Sequence, residues 1–138
     1  LTKVAIGEIE KLMIFGNDWP THDGTGVRDY IHIMDLAEGH VRTLEYLQAN
    51  ECQLLNLNLG TGKGTSVLDL IKTFEEVNNV EIPFKFYDRR LGDVSQLVAD
   101  NSLAKSLLKW QPIRTLSQMC KDGWNWQTKN PSGFINNN

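Results

Sequence analysis

Two kinds of stretch in this chain carry residue types that could do chemistry. The first is LNLGTGKGTS, residues 57–66, in which Gly60, Gly62 and Gly64 alternate around Lys63 ahead of two hydroxyl residues. Glycine-rich loops between a strand and a helix can curl their backbone N–H groups around a phosphate. The known spacings are not met. A P-loop needs G-x-x-x-x-G-K-[ST], yet five residues before Gly62 stands Leu57, and Gly64 rather than a hydroxyl residue follows Lys63. The dinucleotide pattern G-x-G-x-x-G fails because Gly64 falls one position early, and no acidic residue ends a second strand about twenty residues on. A turn, with Ser66 opening the next helix, is the expected outcome.

The second kind is a pair of arginine-bearing loops. In GTGVRDYIH, Arg28 can present a planar fork to a carboxylate or phosphate, and Tyr30 beside it can stack or donate a hydrogen bond. In DRRLGD, residues 88–93, two arginines and two aspartates share a tight turn. Each has a plain alternative, a surface Arg28–Asp29 pair in one and mutual neutralisation in the other. Two such loops meeting on one anion would be more specific than either, and residue spacing does not decide whether they meet. His22, His32 and His40 lack metal-ligand spacing, and H-E-x-x-H, C-x-x-C and G-x-S-x-G do not occur. Trp110, Trp124 and Trp126 are expected on helices, packing against apolar partners.

Elements that must position these residues follow from periodicity. Leu1, Val4 and Ala5 already repeat at helical spacing at the first residue, as if cut from something longer. LMIF (12–15) predicts a strand, the segment to residue 26 a long loop, and RDYIHI (28–33) an extended piece. Asp35 and Glu38 predict a capped helix start, with Leu36, Ala37, Val41, Leu44 and Leu47 as one apolar stripe. LLNLNLG (54–60) reads as a buried strand. Ser66 with Asp69 predicts a second helix, with Val67, Leu70, Ile71, Phe74 and Val77 on one face. IPFKFY is a strand by alternation, DRRLGD a turn and LVAD a short extended piece. Asp100 or Asn101 caps a short helix carrying Leu103, Ala104, Leu107 and Leu108. Thr115 and Gln118 fit a capping box ahead of Leu116, Met119, Cys120, Gly123 and Trp124, with Pro131 just past the end. Strands and helices alternate, so the class is α/β.

The chain's 138 residues suffice for one core burying about two-thirds of the unfolded surface. A net charge of −3 argues against a nucleic-acid-wrapping surface, and no apolar run approaches a membrane span. Cys52 and Cys120 are too few for a disulfide framework or zinc site, which fits a reducing cytoplasm. The final INNN is expected to be loose.

Four stretches together resemble the carboxyl-terminal portion of the UDP-glucose 4-epimerase family of extended short-chain dehydrogenases/reductases. They are LMIFGNDWPTHDGTGVRDYIHIMDLAEGH, NLGTGKGTSVLDLI, DRRLGD with AD shortly after, and TLSQMCKDGWNWQTKNPSGF. The resemblance implies an α/β substrate-binding portion carrying one helix–strand piece of a Rossmann sheet, with residues 35–60 packing on a Rossmann domain absent from this chain. It implies an enzyme that holds NAD, oxidises C4 of UDP-glucose or UDP-galactose and returns the hydride to the other face. In the family a tyrosine and lysine four apart supply the base. Here Tyr30, Tyr46 and Tyr87 are followed four on by Met34, Asn50 and Leu91, so the chain alone is expected not to turn over or to bind NAD.

What does match is the UDP site. By resemblance, the backbone of Met13, Ile14 and Phe15 borders the uracil, Arg28 and Arg90 grip the diphosphate, and Asp93 takes the ribose hydroxyls. Tyr30 lines the same pocket, Leu91 and Gly92 of the turn also bind substrate, and Leu97 stands where relatives carry a tyrosine or smaller residue near the sugar. The family implies a dimer for the intact parent, through amino-terminal helices not found here. Alternatives are a UDP-N-acetylhexosamine epimerase, a UDP-sugar dehydratase or decarboxylase, a non-catalytic nucleotide-sugar-binding module and, against its spacing, a P-loop nucleotidase.

Overall fold

The computed structural model describes residues 1–51 and 54–133. Cys52 and the INNN tail lie outside them. The order is α1 (Thr2–Ala5), β1 (Leu12–Phe15), β2 (Val27–Arg28), α2 (Ile33–Ala49), β3 (Thr65–Ser66), α3 (Val67–Asn78), β4 (Phe84–Tyr87), β5 (Gln96–Leu97), α4 (Ser102–Leu108) and α5 (Leu116–Lys129). The class is mixed α/β, as expected. β1 and β4 pair in parallel, Leu12 opposite Phe84 and Phe15 opposite Tyr87. A second sheet has the order β3-β2-β5, antiparallel on one side of β2 and parallel on the other.

Local signals set most helix ends. Ser66 Oγ accepts from the Asp69 N–H at 3.0 Å and starts α3, while Asn79 closes it in the left-handed conformation (φ +50°). Thr115 and Gln118 form the expected capping box of α5. The apolar faces of α3 and α5 then meet: Phe74, 2% exposed, packs edge-on to Trp124 at 6.0 Å between ring centres. Val4, Ile14, Ile71, Ile82 and Cys120 complete this main core. Burial pushes the Cys120 thiol above its ordinary range. A smaller cluster of Ala104, Leu108 and Trp110, with Ile31, Tyr46, Leu57 and Leu59 against it, joins α4 to α2.

Several expectations are corrected. Asp35 does not cap α2. His32 does, its Nδ1 accepting from the Met34 N–H at 3.1 Å, which places the ring proton on Nε2 facing Asp122 at 3.2 Å. Asp35 and Glu38 instead hold Arg114, at 2.5 and 3.0 Å, a partner remote in sequence. RDYIHI is not one strand: only Arg28 pairs in a sheet, and Ile33 already belongs to α2. Residues 54–59 form no strand, for no described neighbour offers them a ladder, although Leu57 and Leu59 still pack beneath Trp110. Trp110 follows α4 rather than lying on a helix, and Trp126 is half-exposed on α5.

The stripe of α2 points outward. Its buried positions are Asp35 and Gly39, whereas Ile33, Met34, Val41 and Leu44 on the stripe side are at least half exposed. A helix whose apolar face meets water while its other face is packed is built for a further contact.

Candidate nucleotide-binding cleft

Beside the end of β1 lies a cleft of about 220 Å³ lined by Met13, Ile14, Phe15, Trp19, Gly26, Arg28, Tyr30, Val67, Arg90 and Asp93. Three elements converge there. β1 supplies a wall of backbone, β2 delivers Arg28, and the turn after β4 delivers Arg90 and Asp93. Seven of the residues singled out from the sequence are among these linings: Met13, Ile14, Phe15, Arg28, Tyr30, Arg90 and Asp93. The two arginine-bearing loops do meet.

Their charges are organised around one carboxylate. Arg90 Nε donates to Asp93 Oδ2 at 2.9 Å, and Arg28 Nη2 stands 3.9 Å from Asp93 Oδ1. The Arg90 guanidinium also lies over the Phe15 ring, 4.6 Å from its centre, so its plane is fixed by stacking as well as by the hydrogen bond. Two cations and one anion leave a net positive charge at the mouth, which suits a ligand with more than one negative charge. Burial raises the Tyr30 phenol above its ordinary range, and the positive charge of Arg28 only partly opposes that. Tyr30 therefore keeps its proton at neutral pH and borders the cleft as a neutral phenol.

Leu91, Gly92 and Leu97 do not line it. Leu91 is fully exposed, Gly92 turns the chain at φ +87°, and Leu97 on β5 is 63% exposed. Arg89, next to Arg90, belongs to the scaffold: it bonds Asp18 at 2.7 Å and stacks on Trp19 at 3.9 Å. Trp19, Gly26 and Val67 were not expected at the cleft, because apolar and small linings have no signature of their own.

The glycine loop lies elsewhere. Gly62 adopts φ +73°, and a Cβ on Gly64 would sit 2.5 Å from a Val27 methyl, so the sharp exit and close approach need these glycines. The N–H groups of Thr61 and Gly62, which in a phosphate loop would face the ligand, both donate to Asp29 at 2.9 Å. Lys63 borders a neighbouring depression with Thr65 and Arg114, not the cleft.

The fold also brings His22 within reach of Asp23 and Asp69, a grouping that sequence spacing did not reveal. Asp23 is already engaged by Ser66 Oγ and by the N–H and hydroxyl of Thr25. Burial alone would raise the Asp23 carboxyl, but these hydrogen bonds outweigh it and hold it below the usual range. Among the described residues no helix is long and apolar enough to cross a membrane.

The chain as a whole is similar to known proteins. The family described as GDP-mannose 4,6 dehydratase matches residues 1–123. The UDP-glucose 4-epimerase of Pasteurella multocida (strain Pm70) is 52% identical over 134 residues, 97% of this chain and 39% of that protein. The crystal structure of UDP-glucose 4-epimerase from Bifidobacterium longum in complex with NAD+ and UDP superposes with a TM-score of 0.91 at 44% identity, covering 96% of this chain and 39% of that one. The corresponding enzyme from Stenotrophomonas maltophila, with bound NAD and formylated UDP-arabinopyranose, gives 0.90 at 46% identity, over 94% of this chain and 38% of that one. This chain thus spans about two-fifths of the length of the relatives it matches. With the family match running from the first residue through the cleft and into α5, the chain belongs to the GDP-mannose 4,6 dehydratase family of extended short-chain dehydrogenases/reductases, and what it matches there is the carboxyl-terminal portion of UDP-glucose 4-epimerases.

Proposed function

We propose that this chain is the UDP-sugar-binding part of an NAD-dependent epimerase that interconverts UDP-glucose and UDP-galactose through a 4-keto intermediate. The observation that carries this is the convergence of Arg28 and Arg90 on one cleft walled by the backbone of Met13, Ile14 and Phe15. In this reading the β1 backbone borders the uracil, the two guanidiniums offset the diphosphate charge, and Asp93 accepts from the ribose hydroxyls while aligning both arginines. Tyr30 borders the same cleft, the Leu91–Gly92 turn carries Arg90 and Asp93, and Leu97 approaches the sugar ring from β5.

NAD supplies the hydride chemistry in such an enzyme. This chain's glycine loop does not fit it, because the Asp29 carboxylate already takes the amides that would hold a pyrophosphate. The cofactor belongs to a Rossmann domain against which we place residues 35–60, with the exposed apolar side of α2 as the contact. The protein acts in the cytoplasm, where Cys120 stays a buried thiol, and the intact enzyme is a dimer.

Expressed from its complete reading frame and given UDP-glucose, the protein should form UDP-galactose. Tight UDP binding with no conversion would instead make it a binding module. Lys63→Ala should leave UDP affinity within about twofold, since Lys63 lies outside the cleft; a tenfold loss on titration would relocate the phosphate site. Leu97 favours a second reading, in which N-acetylated sugars are also accepted, because leucine has intermediate bulk and no hydroxyl. Leu97→Tyr should then lower turnover of the N-acetylhexosamine substrate relative to UDP-glucose, and an unchanged ratio would refute that role.

A further inference from the structure

Asp29 stands between two residues of the cleft, Arg28 and Tyr30, yet its own side chain turns the other way. Its Oδ1 accepts from the Thr61 N–H at 2.9 Å and the Thr61 hydroxyl at 2.5 Å. Its Oδ2 accepts from the Gly62 N–H at 2.9 Å and, at 3.3 Å, from the Ala99 N–H. A Cβ on Gly60 would fall 2.7 Å from that same oxygen, so the glycine makes room for the carboxylate. The amide cluster of the GTGKG turn is therefore an anion nest filled by the chain's own aspartate.

The segments it ties together matter. β2 is two residues long and pairs with only two residues on each side, so the ladder alone fixes little of its orientation. Thr61 and Gly62 precede β3, and Ala99 follows β5, the strands that flank β2. Followed backward, β5 runs directly from Asp93. One carboxylate thus locks the strand bearing Arg28 against the strand leading from the Arg90–Asp93 pair.

We propose that Asp29 is the positioning residue of the diphosphate end of the cleft, holding Arg28 in register with Arg90 and Asp93 through the GTGKG nest. This rests on the nucleotide-binding role given to the cleft above. Asparagine keeps the size of Asp29 but turns an NH2 toward amide donors that need an acceptor, so it breaks half of the clamp.

In the protein expressed from its complete reading frame, UDP and uridine are titrated against wild type, Asp29→Asn, Arg28→Ala and the double variant. UDP affinity of Asp29→Asn should fall by roughly tenfold to a hundredfold, the scale of losing an aligned charge-assisted contact. Uridine affinity should stay within about twofold, and Asp29→Asn should cost nothing further once Arg28 is alanine. Thr61→Val, which removes the hydroxyl donor to Asp29 and the acceptor of the Lys63 N–H but keeps both backbone amides on the carboxylate, should give a smaller loss in the same pattern and serves if Asp29→Asn does not fold. Equal losses for UDP and uridine, unchanged UDP binding, or a loss that persists in the Arg28→Ala background would overturn the positioning role. A wild-type protein that binds no UDP would overturn the functional reading beneath it instead.

Discussion

Replacing Arg90 by alanine should weaken UDP binding by roughly tenfold to a hundredfold, and Arg28→Ala by a similar factor, because each removes charge-assisted donors aimed at a diphosphate. Arg90 is the more telling of the two. Its Nε is committed to Asp93 and its face to Phe15, which leaves the remaining N–H groups oriented at no further entropic cost when a ligand arrives. Arg90→Lys keeps the charge but loses both constraints, so it should recover only a small part of the affinity. Calorimetric titration reads this directly; wild-type affinity in Arg90→Ala would contradict the placement of the diphosphate.

The second large effect concerns stability. Asp35→Ala should lower stability by about 3 kcal/mol, or roughly 10 °C in melting temperature. Asp35 is fully buried inside α2, where its Oδ2 accepts from the N–H groups of Ile113 at 3.2 Å and Arg114 at 2.9 Å. Removing the carboxylate strands both amides and leaves Arg114 with only Glu38. The contact joins α2 to the segment that enters α5, so its loss also frees that segment from α2. Asp35→Asn retains one acceptor and should lose about half as much. A shift of only a degree or two in either variant, by thermal unfolding, would show that the pair is a spectator.

How far the sequence alone led depends on the range of the interactions involved. Helices α3 and α5 were legible because Ser66, Thr115 and Gln118 act within three residues of themselves, β1 was legible as a short apolar run and β4 from apolar alternation. The start of α2 was misread since Asp35 satisfies the local rule for a cap while serving a partner nearly eighty residues away. Residues 54–60 carry a strand's alternation, but a strand exists only where another backbone completes its ladder. The site followed the same division. Arginine forks were recognisable as anion binders; their meeting at Asp93 was a product of two strands that pair across long sequence separations. GTGKG drew attention as a phosphate loop, and its amides do hold an anion, supplied by Asp29 from within the chain.

The central claim is that the cleft beside β1 receives UDP. Trp19 lines that cleft, whereas Trp110 and Trp124 belong to the two cores and Trp126 lies on α5 away from it. Adding UDP to the protein expressed from its complete reading frame should produce a saturable change in tryptophan fluorescence that is much smaller in Trp19→Phe and weakens in Arg90→Ala. No saturable change, or one that survives intact in Trp19→Phe, would contradict the account.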